Sequence, residues 1–315
     1  MQEVQIPLSI VVATRDRVQS LERLLRSLDQ LRSPGVSYEV IIVDNGSSDE
    51  TPGILAQWAA RGAQRQVLHV PRPGKARALN AAIRAAHGDL LAFVDDDVIL
   101  NSSHLLELWN YFRSHDCAAV QGAVLWPPEA KEDPELQSLL ERYRSCVVRA
   151  DFPPHTPQRK LLGANIAVRR SIFEKVGLFD ERLGPGAAGF SEDDELADRI
   201  LAAGGWIGYV RGAEVVHEID RSRLTEEYFR RRHQLQGRSR FVYKQNGLLS
   251  SILPNMVKAT IQYACYSLLG NIYRQYRAKG RWFHYREMLE LTVRRRGPSS
   301  SDNAFADQNV ELSDS

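Results

Sequence analysis

Cysteine is scarce in this 315-residue chain, and the three that occur, Cys117, Cys146 and Cys265, are widely separated. This number and spacing fit neither a disulfide framework nor a cysteine metal motif, so we expect a reducing, cytoplasmic compartment. The N-terminus lacks the basic segment and long apolar run of a signal peptide, and we expect none there. Charge of one sign is not in excess, because 41 Lys and Arg residues face 39 Asp and Glu residues. This near-neutral balance argues against general nucleic-acid binding.

The chain has enough apolar sequence for a large core. Hydrophobic residues make up 43% of it and charged residues 25%, which is ordinary for a soluble globular protein. We expect one large domain over residues 1–220 and a basic, aromatic helical extension over 221–296. From Arg294 onward the sequence is basic and then Ser/Asp-rich, which predicts a disordered tail over 297–315.

The most informative stretch begins at Leu90, where five apolar residues run into Asp95, Asp96 and Asp97. The apolar run predicts a buried strand, and three unpaired carboxylates cannot share its core. Carboxylates this close repel one another unless a cation lies between them, and hard oxygen ligands favour Mg²⁺ or Mn²⁺. An acidic corner that faces water is the alternative.

The first half of the chain alternates apolar strands, predicted over residues 8–13 and 40–43, with polar loops and helices. This order predicts right-handed βαβ units and a parallel sheet. Ligands of such sheets bind at the carboxyl ends of the strands. Thr14, Asp16 and Asp44 follow two of these strands, so we expect them at the same edge as the acid cluster.

Gly74, Lys75 and Arg77 open an alanine-rich helix. Gly74 lets the backbone approach a ligand, and positive charge at a helix N-terminus attracts anions, so this segment predicts a phosphate site. It is not a Walker loop, since the required glycine and Gly-Lys-Ser/Thr spacing is absent. A solvated basic loop is the alternative.

Four motifs in this order resemble the family 2 glycosyltransferases of GT-A fold. They are Thr-Arg-Asp after the first strand, Asp-Asn-Gly-Ser-Ser-Asp after the second, Gly-Lys-Ala-Arg-Ala-Leu-Asn at the helix start, and the Asp-Asp-Asp cluster, which contains an Asp-x-Asp pattern. The resemblance covers residues 6–220. It implies an α/β fold with a Rossmann-like, mostly parallel central sheet flanked by helices, followed by a C-terminal helical extension.

The resemblance also implies the second half of the site. The segment from Ser191 to Leu196 is similar to the family's Gly-Glu-Asp-x-Asp-Leu, with Ser191 in place of glycine, and Asp193 is then the candidate catalytic base. Acids in a first helical turn are also expected from the helix dipole alone. The small-residue loop over 184–190 is either a mobile lid or a simple long connection. The sugar and acceptor side would contain Gly163, Ala164, Asn165 and Glu192.

The donor implied by the resemblance is a nucleotide-diphosphate sugar with UDP, GDP or dTDP, and the cofactor is Mg²⁺ or Mn²⁺. The donor-binding residues would be Thr14, Arg15, Asp16, Asp44, Lys75, Asp95 and Asp96. The metal ligands would be Asp97, Asp95 and His217, which ends the strands predicted over 206–210 and 214–216. A structural role for this histidine is the alternative. A single displacement at the sugar would invert the anomeric centre.

Residues 259–273 form an uncharged run that is too short to span a bilayer, and basic and aromatic residues follow it. This mixture predicts a helical region over 255–290 that lies on the anionic inner face of the cell membrane. A helix packed on the catalytic domain, or a dimer interface, is the alternative. A membrane location favours a polysaccharide or lipid-linked glycan of the cell envelope as the acceptor.

Two other functions stay open at this point. A sugar nucleotidyltransferase shares the fold and the metal carboxylates, but usually has glycine in the turn after its first strand, and the turn after Ala13 has none. A catalytically inactive protein that binds a sugar nucleotide or glycan is the second alternative, and the presence of Asp97 and Asp193 argues against it.

Overall fold

The computed structural model describes residues 7–154, 156–244 and 246–296, so the predicted tail over 297–315 lies outside the described residues. Its strands form one mixed sheet in the order β3-β2-β1-β4-β7-β6-β8-β5. The strands are β1 (Leu8–Thr14), β2 (Tyr38–Asp44), β3 (Arg65–His69), β4 (Leu90–Val94), β5 (Val98–Leu100), β6 (Ala119–Leu125), β7 (Asn165–Arg169) and β8 (Ile207–His217).

The helices follow the strands in the order expected of βα units over the first half of the chain. They are α1 (Val18–Leu28), α2 (Thr51–Ala59), α3 (Lys75–Ala85), α4 (His104–Ser114), α5 (Glu129–Glu132), α6 (Pro134–Tyr143), α7 (Arg170–Val176), α8 (Glu192–Ala202), α9 (Glu226–Tyr243), α10 (Leu253–Leu268) and α11 (Ile272–Arg296). Within the three described ranges, no helix has both the length and the apolar character needed to cross a bilayer.

Strands β3, β2, β1 and β4 are parallel, and their apolar runs supply both faces of the sheet. Ile10 packs in one buried cluster with Leu21 of α1, while its neighbour Val11 packs in the other with Leu79 of α3. Because helices cover both faces, these strands need no alternation of polar and apolar residues. The predicted fold class, an α/β fold with a mostly parallel sheet flanked by helices, is confirmed.

The second half of the sheet is antiparallel in part. Strand β7 lies antiparallel between β4 and β6, an insertion that the alternation of strands and helices does not predict. Strand β8 is continuous where two strands are predicted, and its register against β6 shifts between Gly122 and Ala123. At its end, β8 pairs antiparallel with the short β5, so that Val98 lies opposite His217. This pairing positions His217 beside the acid cluster that precedes β5.

The chain forms two compact units. The first contains the described residues up to Glu132, together with Val148–Glu181 and Glu192–Ile219, and it holds the whole sheet. The second contains Asp133–Val147, Arg182–Ser191 and the described residues from Asp220 onward. Two segments that precede residue 220 therefore group with the C-terminal helices.

Aromatic rings from three helices form the centre of the second unit. The Tyr143 ring of α6 has its centroid 5.9 Å from that of Phe229 in α9 and 5.5 Å from that of Tyr276 in α11. Gly237 lies against the His284 carbonyl, where a side chain would not fit, so α9 and α11 approach closely. These three aromatic residues thus pack as a core within the second unit.

The small-residue loop over 184–190 is bonded to α9 within the second unit. The buried Ser239 hydroxyl donates to the Ala188 carbonyl at 3.0 Å and accepts the Phe190 N–H at 3.0 Å. Gly189 has a φ of 113° and lies so close to Leu235 that a Cβ would be 2.9 Å from that side chain. These contacts define one conformation of the loop, and its motion as a lid stays a prediction.

Candidate active site

The polar ends of the central strands meet at one edge of the sheet. Thr14 ends β1 and pairs with Asp44 at the end of β2, while Asp95, Asp96 and Asp97 follow β4 directly. The Thr14 hydroxyl donates to an Asp96 carboxylate oxygen at 2.7 Å. The strand ends that the sequence pattern predicts at a common edge are therefore in direct contact at this point.

Three of the predicted residues form a group that can hold a metal ion. One ligand atom from each of Asp95, Asp97 and His217 lies within 4.8 Å of the others. His217 Nδ1 is 2.7 Å from the Glu218 carbonyl oxygen, which can only accept a hydrogen bond. In the neutral ring this bond leaves a lone pair on Nε2, which lies 3.3 Å from Asp97 Oδ1. Two carboxylates and an imidazole nitrogen are donors that fit Mg²⁺ or Mn²⁺.

Arg17 also belongs to the acid cluster, although the sequence pattern does not predict a role for it. Its guanidinium donates to Asp97 Oδ2 at 3.0 Å. Burial opposes its charge, but the carboxylates of Asp96 and Asp97 outweigh burial and raise the pKa of Arg17. Burial, together with the charge of Asp97, raises the pKa of Asp96 to about 6. The single signal in the sequence is a second arginine two positions beyond Arg15 in the same turn.

Lys75 connects the acid cluster to the start of α8. Its ammonium nitrogen lies 2.6 Å from Asp95 Oδ1 and 3.5 Å from Glu192 Oε1. Burial acts to lower the pKa of Lys75, but these two carboxylates outweigh burial and raise it. Burial acts to raise the pKa of Asp95, and the Lys75 ammonium outweighs burial and lowers it. Lys75 is therefore a fixed positive charge between two acidic groups.

Asn45 holds the loop that leads to Lys75, and the sequence analysis assigns it no function. Its buried amide donates to the carbonyls of Val70 and Arg72 at 2.9 and 3.0 Å. Its amide oxygen accepts the Gly74 N–H at 2.8 Å. Gly74 has a φ of 144°, a conformation that side chains rarely adopt. The end of β2 thus fixes the backbone from which Lys75 extends.

Asp193 lies in the first turn of α8, next to Gly163. The Gly163 N–H donates to Asp193 Oδ2 at 2.6 Å. Burial raises the pKa of Asp193 to about 7, and the charges of Glu192 and Asp194 act in the same direction. A Cβ at position 163 would lie 3.3 Å from Asp193 Oδ2 and 3.4 Å from Lys75 Nζ, so glycine leaves room around both groups. A carboxyl that titrates near neutrality can accept a proton at physiological pH.

The remaining donor-side candidates form a separate hydrogen-bonded group. Asp16, which has a φ of 50°, accepts the Ser48 N–H at 2.7 Å, and its other oxygen lies 3.2 Å from Arg15 Nε. Asp44 is buried, accepts the Ser47 N–H at 2.9 Å and lies 2.9 Å from His69 Nδ1. These residues tie the loops after β1 and β2 together beside the acid cluster.

Two of the predicted sugar-side residues lie in the core. Ala164 is buried, and its carbonyl accepts the Asp95 N–H at 3.4 Å. Asn165 is fully buried, and its amide donates to the carbonyls of Ala123 and Ala213 while its oxygen lies 2.8 Å from His104 Nε2. A contact between the Asn165 side chain and a sugar would require some of these bonds to break.

Comparison with known proteins finds a family model that covers part of this site. The model of the family described as glycosyl transferase family 2 matches residues 9–177, more than half of the chain. The chain belongs to glycosyl transferase family 2. The matched range includes the strand ends, the acid cluster, Lys75 and Gly163, and stops before Asp193 and His217. The predicted membership of this family of enzymes is confirmed.

One relative of the chain is a pre-mycofactocin glycosyltransferase of Mycobacterium tuberculosis, which is 29% identical over 212 residues. These residues are 67% of this chain and 42% of the relative. A beta-monoglucosyldiacylglycerol synthase of Trichormus variabilis is 35% identical over 116 residues, 36% of this chain and 25% of the relative. The chain thus matches less than half the length of either relative.

Among solved structures, a mannosyltransferase of Pyrobaculum calidifontis in complex with GDP-Man and Mn²⁺ superposes with a TM-score of 0.62 at 17% identity. The match covers 94% of this chain and 89% of that one. At this level of identity, the likeness shows only that the two chains share a fold.

Proposed function

We propose that this chain is an inverting, metal-dependent glycosyltransferase that moves a sugar from a nucleotide-diphosphate sugar to an acceptor hydroxyl. The position of Lys75 between two acidic groups carries this proposal. Its ammonium is 2.6 Å from Asp95 of the metal-ligand group and 3.5 Å from Glu192, the neighbour of the base candidate Asp193. Lys75 therefore contacts both the proposed donor end, which contains the metal-ligand group, and the proposed acceptor end, which contains the base candidate.

The donor end suits a nucleotide diphosphate. Thr14, Arg15, Asp16 and Asp44 supply polar groups for a base and ribose at the ends of β1 and β2, and Lys75 supplies positive charge for phosphate. A divalent cation held by Asp95, Asp97 and His217 would offset the negative charge of the leaving diphosphate. Arg17 adds a second fixed cation next to Asp97.

The acceptor end suits proton removal. In the proposed reaction, the acceptor oxygen bonds to the anomeric carbon while the bond from that carbon to the donor phosphate breaks. The hydroxyl proton passes to the Asp193 carboxylate, and the nucleoside diphosphate leaves with the bonding electrons. A pKa of about 7 suits this role because a useful fraction is deprotonated at neutral pH. One displacement without an enzyme-bound intermediate inverts the configuration of the anomeric carbon.

The acceptor that we propose is a growing polysaccharide or a lipid-linked glycan of the cell envelope. One relative is a synthase named for a glucosyldiacylglycerol, which is a lipid product. The basic and aromatic composition after residue 220 suits an anionic lipid surface, with peripheral contact through residues 255–290. A nucleotidyltransferase is disfavoured by the family match and by the turn after β1, which contains no glycine.

Donor binding is the first test. Thermal unfolding would be followed with UDP-, GDP-, dTDP- and CMP-sugars, with and without Mn²⁺, because a ligand specific for the native state raises the melting temperature. We expect one nucleotide class to raise it only with metal, and Asp97→Ala to abolish the shift. Asp193→Asn should keep the thermal shift. It should lose both the transfer of the sugar and the slow hydrolysis of the donor.

Other outcomes of these measurements would support the alternative functions. A metal-dependent shift without transfer or hydrolysis in the wild-type protein would indicate a protein that binds a sugar nucleotide without catalysis. If no nucleotide changes the melting temperature with either Mg²⁺ or Mn²⁺, the assignment of the acid cluster is wrong.

A further inference from the structure

The outer face of α10 in the second unit exposes several apolar side chains on one helix. Val257 is 59% exposed, Ile261 58% and Leu268 90%. At 3.6 residues per turn, these three side chains and Pro254 lie within about 60° of one another around the helix. On the opposite side of α10, Ala259 is buried, and Met256, Gln262 and Tyr266 are half-buried. The helix therefore has one side packed in its own unit and one apolar side that faces outward.

The sequence on both sides of α10 carries charge of one sign. The sequence from Tyr228 to Arg286 contains twelve Lys and Arg residues and no Asp or Glu. Lys258 lines the same open groove as Val257, Ile261 and Leu249, and it is exposed. Arg274 and Arg277, at the start of α11, are exposed as well. An apolar stripe beside Lys258, in an acid-free stretch of sequence, is complementary to a surface that has an anionic layer over a hydrocarbon layer.

We propose that the outer face of α10 docks on an anionic lipid bilayer, with the helix axis parallel to the membrane plane. Leu249, Val257, Ile261 and Leu268 enter the boundary between headgroups and acyl chains, while Lys258, Arg274 and Arg277 contact anionic headgroups. This inference deepens the proposed function, on which it rests for its biological meaning, by naming the residues of the membrane contact. The contact is peripheral, since α10 has only 16 residues.

A second copy of the chain fits this face less well. A symmetric contact through α10 would bring the same acid-free, basic region of both copies together, and like charges at an interface disfavour association. A lipid surface supplies the opposite charge. The same reasoning predicts that binding weakens as salt concentration rises.

Sedimentation with vesicles tests the proposal. The 315-residue protein would be mixed with vesicles of phosphatidylcholine alone and of phosphatidylcholine with phosphatidylglycerol, at low and high salt. We expect at least tenfold stronger partitioning to the anionic vesicles, and a loss of this preference at high salt. Val257→Asp should reduce partitioning at least tenfold, because it adds a charge to the apolar stripe.

Val293→Asp is a matched control. Val293 is also 59% exposed and helical, but it lies near the end of α11 rather than on α10. This variant should partition within twofold of the wild type. Replacing Lys258 and Arg277 by Gln should reduce partitioning to anionic vesicles and leave partitioning to neutral vesicles unchanged. The proposal is overturned if Val257→Asp and Val293→Asp partition equally, or if the wild type does not sediment with anionic vesicles.

Light scattering without vesicles tests the competing occupant. A concentration-dependent dimer that Val257→Asp dissociates would assign this face to a second copy and overturn the lipid proposal. The nucleotide-dependent thermal shift is measured on the same samples without lipid. A wild type that keeps the metal-dependent shift but ignores vesicles refutes only the membrane surface, whereas one that binds vesicles without any nucleotide shift refutes only the proposed function.

Discussion

Replacing Asp193 by Asn removes a carboxylate whose charge is unfavourable in the folded state. Burial raises the pKa of Asp193 to about 7 from an ordinary value of 3.8, with Glu192 and Asp194 adding to the rise. Because the folded chain holds this proton more tightly than the unfolded chain, stability falls as pH rises from 3.8 to about 7. The unfavourable contribution is complete above pH 7. The Asn variant lacks this unfavourable contribution and keeps a side-chain oxygen that can accept a hydrogen bond from the Gly163 N–H.

The size of the effect follows from the two pKa values. A difference of about 3 units corresponds to about 4 kcal/mol in the free energy of unfolding at pH 8. Asp193 is only partly buried, so screening by water makes this an upper bound. At pH 5 only part of the contribution is present. We therefore expect the gain from Asp193→Asn to be larger at pH 8 than at pH 5 by about 2 kcal/mol.

Urea-induced unfolding at the two pH values, without nucleotide or divalent metal, measures this difference. Any change in packing caused by the amide is the same at both pH values, so it cancels. Asp116→Asn, at an exposed position of the same unit, is the control and should give equal effects at pH 5 and pH 8. If the gain from Asp193→Asn at pH 8 does not exceed the gain at pH 5, Asp193 titrates as an ordinary carboxyl and the argument for its basicity fails.

Three further substitutions test the geometry of the site. Gly163→Ala places a Cβ 3.3 Å from Asp193 Oδ2, so we expect kcat to fall about tenfold with donor affinity unchanged, as measured by steady-state kinetics and donor titration. His217→Ala should raise the Mn²⁺ concentration that gives half of the donor-dependent thermal shift by about tenfold or more. Asn45→Ala leaves two partly exposed carbonyls and the buried Gly74 N–H without their partner, and should lower the free energy of unfolding by about 1–3 kcal/mol in urea titrations.

The sequence pattern predicts the parallel half of the fold well because its strands are buried on both faces. Such strands appear as continuous apolar runs that end abruptly in polar residues, as at Thr14 and Asp95. The observed strands Leu8–Thr14 and Tyr38–Asp44 extend the predicted ranges by one to three residues. The position of a strand end is therefore readable from local sequence, and with it the edge at which the acids gather.

Contacts between distant segments are not readable in this way. His217 lies beside Asp97 because β8 pairs with β5 across more than a hundred residues of sequence. Arg17 contacts the acid cluster while Arg15 bonds to Asp16, although both arginines lie in one polar turn. Asn165 is expected on the sugar side from the resemblance, yet its side-chain amide is bonded to core carbonyls. The direction of each side chain depends on backbone geometry that residue types do not reveal.

Ser191 departs from the family pattern in residue type but keeps a backbone conformation that favours glycine. This residue has a φ of 75°, in the left-handed region that favours glycine, and glycine is the residue that the resembling motif has at this position. Serine keeps the conformation in this chain. The start of α8 directly after it, and with it the orientation of Glu192 and Asp193, therefore does not depend on glycine.

The effect of burial is outweighed at Asp95 but not at Asp193, and this difference separates the pKa values of the two carboxyls. Lys75 lies closer to Asp95 than to Glu192, and the pKa of Asp95 is lowered, which keeps it ionised. Lys75 also acts to lower the pKa of Asp193, but burial and the two adjacent acids outweigh it. A second lysine at the start of α8 would neutralise those acids and bring Asp193 towards an ordinary carboxyl, which is too weak a base for a sugar hydroxyl. In the proposed reaction, a single lysine held against Asp95 therefore keeps that carboxylate ionised and leaves Asp193 basic enough to accept a proton.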